Sequence, residues 1–470
     1  MDDQRKLKEI KKREKAWKRY KNLDSEDNYR RFKLFRNRVV KLIRRDKLGH
    51  QKKLFKQFRS NPKRFYGYFR RLQTLKTTVA SIRTADGKLS KTDQETAQTF
   101  CNYFGEVFTK EDSWTQDTIS SQENDLEIVV TEDLVLKALR NLKPDKSPGP
   151  DNLHPMVLRE AAIEVVKPLT IIFQQSILQG ELPDDWKKHH LFTRNKKGPK
   201  DEAGNYRPVS LTSVVCKLLE HIVKEQMVAF LNERHIVSLK QHGFVKGRSC
   251  LTNLLEVFEH WTSCLDDGYG VDVVYLDYRK AFDTVPHQRL LTKLKGLGLG
   301  VGLMKWIGSF LSDRLMRVMV NGHYSSWSVV VSGVPQGSVL GPLLFLLFVN
   351  DIPDWITTNI RMFADDTKIW TQLSCPEDAV KLQQDLDVLS DWSAKWLLKF
   401  NPLKCKLMHL RHNMDTKYYI TQDNQKWYMQ PVQQEKRLGS FDVFGSGGIT
   451  SMYGSGVQGT TSFGDGETAI

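Results

Sequence analysis

The chain lacks the patterns of a disulfide or zinc protein. Its six cysteines, Cys101, Cys216, Cys250, Cys264, Cys375 and Cys405, are scattered, and no two stand as Cys-x-x-Cys. That spacing excludes the common zinc frameworks and predicts reduced thiols, as in an intracellular protein. Long apolar runs are missing too. The longest, Val339 to Val349, is interrupted by Gly341 and Pro342 and is too short to cross a bilayer. The start, Met-Asp-Asp-Gln-Arg-Lys, lacks the apolar core of a signal peptide. The expected location is therefore the nucleus or cytoplasm, with no membrane partner. No internal repeat is present. From Gly439 to Ile470 there is no Lys or Arg, and Gly, Ser and Thr dominate. Such a stretch buries too little apolar surface to order itself, and reads as disordered or as foreign to the domain before it.

What is present is a large apolar fraction and a lopsided charge. Of 470 residues 40% are hydrophobic, enough to build a sizeable core in two to four structural units. The formal net charge is +16. Residues 1–80 carry it: they hold 28 Lys and Arg against 8 Asp and Glu. A basic arm on a near-neutral body points to nucleic acid or another anionic partner. Within the arm Trp17, Tyr20, Tyr29, Phe32, Phe35, Val39 and Leu42 recur at helical spacing, until Asn61-Pro62 breaks the pattern. Phe65-Tyr66-Gly67-Tyr68-Phe69 follows among further Arg. Such aromatics either stack on bases or close a helical seam.

Beyond the arm, helices are predicted over Thr92–Phe108, 131–142 with Thr131 as N-cap, 155–180, 212–231, Cys250–Leu265, Gln288–Leu297, Leu340–Asn350 and Pro376–Leu398. Lys143 to Asp151 holds three prolines and a glycine and reads as a stiff exposed loop. Gln241-His242-Gly243-Phe244 with Gly247-Arg248 reads as a glycine-hinged basic segment. Val271–Leu276 is apolar except for Asp272, as a strand buried on both faces tends to be. It ends at Asp277, and a carboxylate there needs a cationic partner. Ile360–Trp370 alternates around Asp365 and Asp366, which a regular strand would point apart. A tight hairpin with the pair at its turn would instead expose both at the edge of a sheet. Three carboxylates on neighbouring strands can hold two Mg²⁺ ions and serve in-line phosphoryl transfer. Ser332 to Ser338 is a glycine-flanked turn that lets a ligand approach the backbone closely.

These stretches, taken in order, resemble the reverse transcriptase of non-LTR (LINE-type) retrotransposons, of the jockey and chicken-repeat-like group, over residues 130–438. Phe363-Ala364-Asp365-Asp366-Thr367 and Leu276 to Asp283 look like the motifs that carry the metal-site aspartates. Gly333 to Pro342 is similar to the Pro-Gln-Gly motif. Lys143–Asp151, Asn205–Leu211 and Gly243–Arg248 resemble finger motifs, and Asn401 to Cys405 resembles the lysine-bearing motif after the hairpin. The resemblance implies an α+β right-hand polymerase fold, with fingers, palm and a thumb that is absent or truncated.

The implied divisions are a basic helical arm over 1–90, an N-terminal part with fingers over 91–240, a palm with finger insertions over 241–438, and the tail over 439–470. The implied activity is extension of a primer 3′-OH with dNTPs on an RNA template, with Mg²⁺, for which Mn²⁺ can substitute. Asp277, Asp365 and Asp366 would hold metal. Phe282 would gate the sugar, and Gln336 would contact the nucleotide. Lys197 and Arg207 would meet the triphosphate, and Lys404 would donate a proton to the leaving pyrophosphate. Arg248 and Gly337 would contact template. The alternative is a catalytically silent nucleic-acid-binding remnant. Two departures from the family stand out: His189 to Asn195 replaces an apolar finger strand, and the likeness fades after Leu438. The family's endonuclease has no counterpart here, so the chain reads as a fragment of a larger element protein.

Overall fold

The computed structural model describes residues 2–23, 25–56, 79–112, 114, 126–196, 198–411, 414–432, 434–436 and 442–444. They fall into two compact units, residues 1–78 and 79–470. In the smaller unit, helices Asp2–Asn22 and Glu26–Lys56 meet along an aromatic seam. Trp17 lies 4.7 Å from Phe32 and Tyr20 5.2 Å from Tyr29, between ring centres. The break expected at Asn61-Pro62 and the Phe65–Phe69 run lie outside the described residues.

Helices of the larger unit start at polar caps that the sequence supplies. Thr92 accepts a hydrogen bond from Glu95 N ahead of Asp93–Glu106, and Thr131 from Leu134 N ahead of Glu132–Arg140. The predicted helix over 155–180 is two helices, Pro155–Glu160 and Ala162–Gln179, with Ala161 between them. Gly180, in the left-handed region at φ 69°, ends the second. Among the described residues no helix is long and apolar enough to cross a membrane. All six cysteines are free thiols.

The strands are β1 (Lys188–Asn195), β2 (Tyr206–Leu211), β3 (Gly270–Leu276), β4 (Arg314–Val320), β5 (His323–Tyr324), β6 (Ser328–Val330), β7 (Asn359–Phe363), β8 (Asp366–Leu373), β9 (Lys406–Leu410), β10 (Tyr419–Gln422), β11 (Gln425–Tyr428) and β12 (Gln430–Pro431). The first sheet runs β12-β9-β3-β8-β7, with β3 antiparallel to both β8 and β9. Every residue of β3 is buried, because successive side chains enter different cores. Val274 and Leu276 join Leu344, Phe348 and Leu386. Val271, Val273 and Tyr275 join Leu254, Val257 and Trp261 of the helix Cys250–Asp266. Asp272 survives inside β3 because His409 Nδ1, Thr416 Oγ1 and Tyr418 OH bond it at 2.6, 2.6 and 2.8 Å.

The second sheet runs β2-β1-β4-β5, with β6 also on β4; β1 is antiparallel to β2 and parallel to β4. Helix Asp93–Glu106 covers one face, packing Phe100 and Phe104 on Leu191, Tyr206, Met316 and Val318. The His189–Asn195 segment is thus a strand although it is not apolar. His189 is buried, and burial with the charge of Arg314 holds it down at about 3, so it packs as a neutral ring. Helix Val301–Leu311 and strands β4 to β6 fall where the sequence analysis predicts no element. At the end of the chain, Gln434–Lys436 pairs antiparallel with Asp442–Phe444; the rest of the Gly439–Ile470 stretch lies outside the described residues.

Candidate active site

Strands β7 and β8 join through Ala364 and Asp365, with Phe363 opposite Asp366. Ala364 takes φ 56°, a conformation that costs a residue with a Cβ about 1–2 kcal/mol. The segment before the helix Cys250–Asp266 compensates. Met362 N donates to Lys240 O and His242 N to Met362 O, both at 2.9 Å. The buried Gln241 accepts from Gly243 N at 2.8 Å and Ala364 N at 2.9 Å through one oxygen, Oε1. A Cβ on Gly243 would stand 2.3 Å from Ala364 N, so only glycine lets the two segments close. The turn that carries Asp365 is therefore fixed from below by Gln241 and Gly243.

Asp277 follows the last residue of β3. Its carbonyl accepts from Asn401 N at 2.7 Å, and its carboxylate meets Lys404 Nζ at 3.3 and 3.5 Å. Burial raises the Asp365 carboxyl above the usual range, and the charge of Asp277 raises it further; Arg207 and Lys404 pull the other way. Asp277 and Asp365 thus feel each other as a like-charged pair. Asp366 has a different neighbour: after burial, its charge helps to raise the Cys250 thiol, at the start of the helix Cys250–Asp266. The two adjacent aspartates accordingly serve different surroundings, as the alternation of a strand requires.

Cations gather opposite the pair. Lys196 is lowered to about 8, first by burial, then by the charges of Arg207, Lys280 and Lys404. Lys197 lies outside the described residues. Burial raises Asp283 to about 6, against the pull of Lys280, a hydrogen bond from Gln336 and Lys196. Gln336 Nε2 donates to Asp283 Oδ1 at 3.0 Å, and Gln336 O accepts from Ser210 N at 3.1 Å. The loop that carries Gln336 presses on its neighbours. A Cβ on Gly333, at φ 87°, would lie 2.7 Å from Phe282 O; one on Gly337, at φ 109°, would lie 2.6 Å from Ser210 O. The buried Glu220 anchors the far end of the loop, accepting from Val339 N at 2.7 Å and Leu340 N at 3.0 Å. Phe282 stacks on Phe345 at 4.5 Å and meets Phe244 edge-on at 6.2 Å. Arg248 gives Nη1 to the carbonyls of Ser238, Leu239 and Gln241 at 3.3, 2.7 and 2.6 Å, and so ties down the turn that holds Gln241.

Residues 195–438 match the family model described as reverse transcriptase (RNA-dependent DNA polymerase). The chain belongs to the reverse transcriptase family. It is 31% identical over 344 residues to a probable RNA-directed DNA polymerase from transposon BS of Drosophila melanogaster, covering 69% of this chain and 38% of that protein. It is 27% identical over 391 residues to the RNA-directed DNA polymerase from mobile element jockey of Drosophila funebris, covering 78% and 43%. The probable polymerase from transposon X-element of Drosophila melanogaster is 28% identical over 346 residues, covering 70% and 38%. The resemblance to polymerases of non-LTR retrotransposons is thus borne out. The chain spans about two fifths of the length of these curated relatives.

A reverse transcriptase implies a divalent metal, and the donor set fits one. Asp277 and Asp365 offer oxygen only, and their mutual repulsion leaves room for positive charge. Among the described residues no three His, Cys, Asp or Glu side chains converge as a metal-binding group. Two carboxylates suit Mg²⁺, which is commonly held by one or two carboxylates plus substrate phosphates rather than by an all-protein cage. Sequence reasoning missed Gln241, Glu220, Lys196 and Asp283 as site residues. Asp283 and Gln241 lay within stretches already singled out, and Lys196 stands beside Lys197. Glu220 gave no signal, since the backbone N–H groups of Val339 and Leu340 that bond it are more than a hundred residues away.

Proposed function

We propose that the chain extends the 3′-OH of a DNA primer with deoxynucleoside triphosphates on an RNA template. In this reading the first sheet is the palm and the second belongs to the fingers. One observation carries it. Asp365, on its pinned turn, is raised by burial and by Asp277, while Lys196, Arg207, Lys280 and Lys404 converge on the same place. A site that sets Asp277, Asp365 and Asp283 against four cations suits the meeting of metal, triphosphate and primer end.

Each residue then has a task. Asp277 and Asp365 would hold the metal, with Asp366 beside them. Bound Mg²⁺ would supply activation of the attacking oxygen and neutralisation of the leaving one. Lys196 and Arg207 bind the triphosphate, and Lys197 remains a further candidate. Lys404, now on Asp277, moves to the leaving pyrophosphate and gives it a proton. Phe282, backed by Phe345, presents its ring to the sugar and excludes a 2′-OH. Gln336, oriented by Asp283, meets the nucleotide. The bare backbone of Gly337 and the turn tied by Arg248 contact template.

The test is primer extension by the full chain on poly(rA)/oligo(dT) with dTTP. Extension that requires Mg²⁺ and vanishes in Asp277→Asn is expected. A chain that is folded by circular dichroism and binds primer–template, yet adds no nucleotide with Mg²⁺ or Mn²⁺, would refute catalysis and leave the silent remnant.

A further inference from the structure

The second sheet has a face that its covering helix leaves open. Its five strands contain Lys188, Arg194, Arg207, Arg314 and Arg317 and no Asp or Glu. Register sorts their side chains by face. Leu191, Met316 and Val318 face the helix Asp93–Glu106. The alternate positions, His190, Arg194, Arg207, Val209 and Arg317, face away from it. That side is open: Val209 is 43% and Val329 56% exposed.

A stack is built into the open face. The guanidinium of Arg317 lies 4.1 Å from the ring centre of Tyr324 and 4.4 Å from that of Trp327. Its Nε donates to His190 Nε2 at 2.9 Å. That bond needs an unprotonated nitrogen, and burial followed by the charge of Arg317 holds His190 down at about 4. The imidazole is thus a neutral acceptor that fixes the plane of the guanidinium. Tyr324 and Trp327 each remain 38% exposed, so ring surface is left over for a further partner.

Flat rings and a fixed guanidinium plane are what unpaired bases stack on. An acidic peptide would use the cations but would gain little from the ring faces. From His190 to Arg194 along β1 is about 13 Å at the usual strand rise. Arg194 stands opposite Arg207, whose charge reaches Asp365. Cations thus stand at both ends of this open face, Arg317 in the stack and Arg194 beside Arg207. We propose that Tyr324, Arg317 and Trp327 form a platform that stacks an unpaired base of single-stranded nucleic acid, with Arg194 holding a phosphate of the same strand.

The experiment is anisotropy of a labelled 12-nucleotide single strand, RNA or DNA, with the full chain in EDTA and no nucleotide. It does not depend on catalysis, so a chain that cannot polymerise still reports. High salt suppresses the purely ionic contribution of the basic arm. Trp327→Ala and Tyr324→Ala should each weaken single-strand binding about tenfold, the scale of one lost base stack, while Trp327→Phe keeps most of it. Arg194→Gln should lower the slope of log K against log salt by about 0.7, one phosphate contact on a single strand. A blunt duplex should bind the variants as it binds the unaltered chain. Photocrosslinking of a 4-thiouridine RNA to the unaltered chain should return a peptide containing Tyr324 or Trp327, and this arm needs no variant to fold. Crosslinks confined to other peptides would overturn the platform. So would equal displacement of the RNA by an oligoglutamate from the unaltered and Trp327→Ala chains, which would make the face a general acidic-peptide surface.

Discussion

β3 lies between two hydrophobic clusters, while β1, β2 and β4 are covered by a helix on one face and open on the other. The carboxylates of the site belong to the first sheet. Of its cations, Lys196 and Arg207 belong to the second, and Lys280 and Lys404 border the first. In the proposed reading the difference reflects what each charge does. A carboxylate that organises a reaction must be held still, and a doubly packed sheet holds it at the expense of burial, which shows as the raised Asp365. A cation that greets a triphosphate must reach out, and strands with one wet face permit this. Positions are thus dictated by the first sheet, and attractive charge is supplied by both, Lys196 and Arg207 coming from the open-faced second.

Breaking the first sheet's contribution should have the largest effect. Asp277→Asn or Asp365→Asn is expected to abolish primer extension. The sign of the stability change is informative. Because Asp365 is raised in the folded chain, it contributes stability below its unfolded value and loses it as pH rises through the folded one. At neutral pH its replacement by Asn should leave the melting temperature unchanged or higher while activity disappears. A marked fall in melting temperature would show that Asp365 is a structural residue.

The support beneath the turn comes next. Gln241→Met keeps the shape of the side chain but leaves two buried N–H groups without an acceptor, at about 1–3 kcal/mol each. The turn should shift, and a displacement of about 1 Å can cost a hundredfold in rate. Melting temperature and kcat should therefore fall together while the nucleotide KM changes little. Gln241→Glu, which retains an acceptor oxygen, should recover more of both than Met does. Equal damage from Glu and Met would mean that the acceptor bonds are not what matters.

The same contrast explains what the sequence could show. β3 was legible as an apolar run broken only at Asp272, and the β7–β8 hairpin as alternation around the Asp365-Asp366 pair, because both faces of one and the closing turn of the other leave local marks. β4 was not. In Arg314-Leu315-Met316-Arg317-Val318-Met319-Val320 the two arginines are three apart, a spacing that reads as helix as readily as strand. Arg314 is moreover buried, its Nη1 on Phe310 O at 2.9 Å, so polar-out alternation is broken by a contact outside the strand. Glu220 looks like a polar position in an amphipathic helix. It is buried because the loop at Val339 and Leu340 brings unpaired N–H groups to it. What was missed is consistently what distant parts of the chain decide.

At the border between the sheets, Phe282 is held by Phe345 from one side and Phe244 from the other. Phe282→Ala should open the place beside the sugar and raise ribonucleotide use relative to deoxyribonucleotide by about tenfold, the lower end of what a pocket contact discriminates. The ratio of kcat/KM for the two nucleotides measures it. A lowered melting temperature with an unchanged ratio would reduce Phe282 to a packing residue.

The smallest expected effect isolates the second sheet's share. Lys196 stands at the end of β1, lowered to about 8 by burial and by Arg207, Lys280 and Lys404. The free chain should therefore lose this charge as pH rises through about 8, and at pH about 9 roughly a tenth of molecules would keep it. If the ammonium binds the triphosphate, kcat/KM for the nucleotide, which reports the free enzyme, should fall on the alkaline side by at most about tenfold. Lys196→Arg replaces the group with one that stays charged throughout, so the alkaline limb should flatten while activity near neutrality is retained in part. Lys196→Gln should flatten the same limb at a lower level, because the charge is then missing at every pH. The three profiles together separate a charge effect from a packing effect, which would lower activity without altering its pH dependence. Superimposable alkaline limbs for the unaltered and Lys196→Arg chains would remove Lys196 from the nucleotide site. Arg207 would then be the cation of the second sheet that meets the triphosphate in the proposed reading.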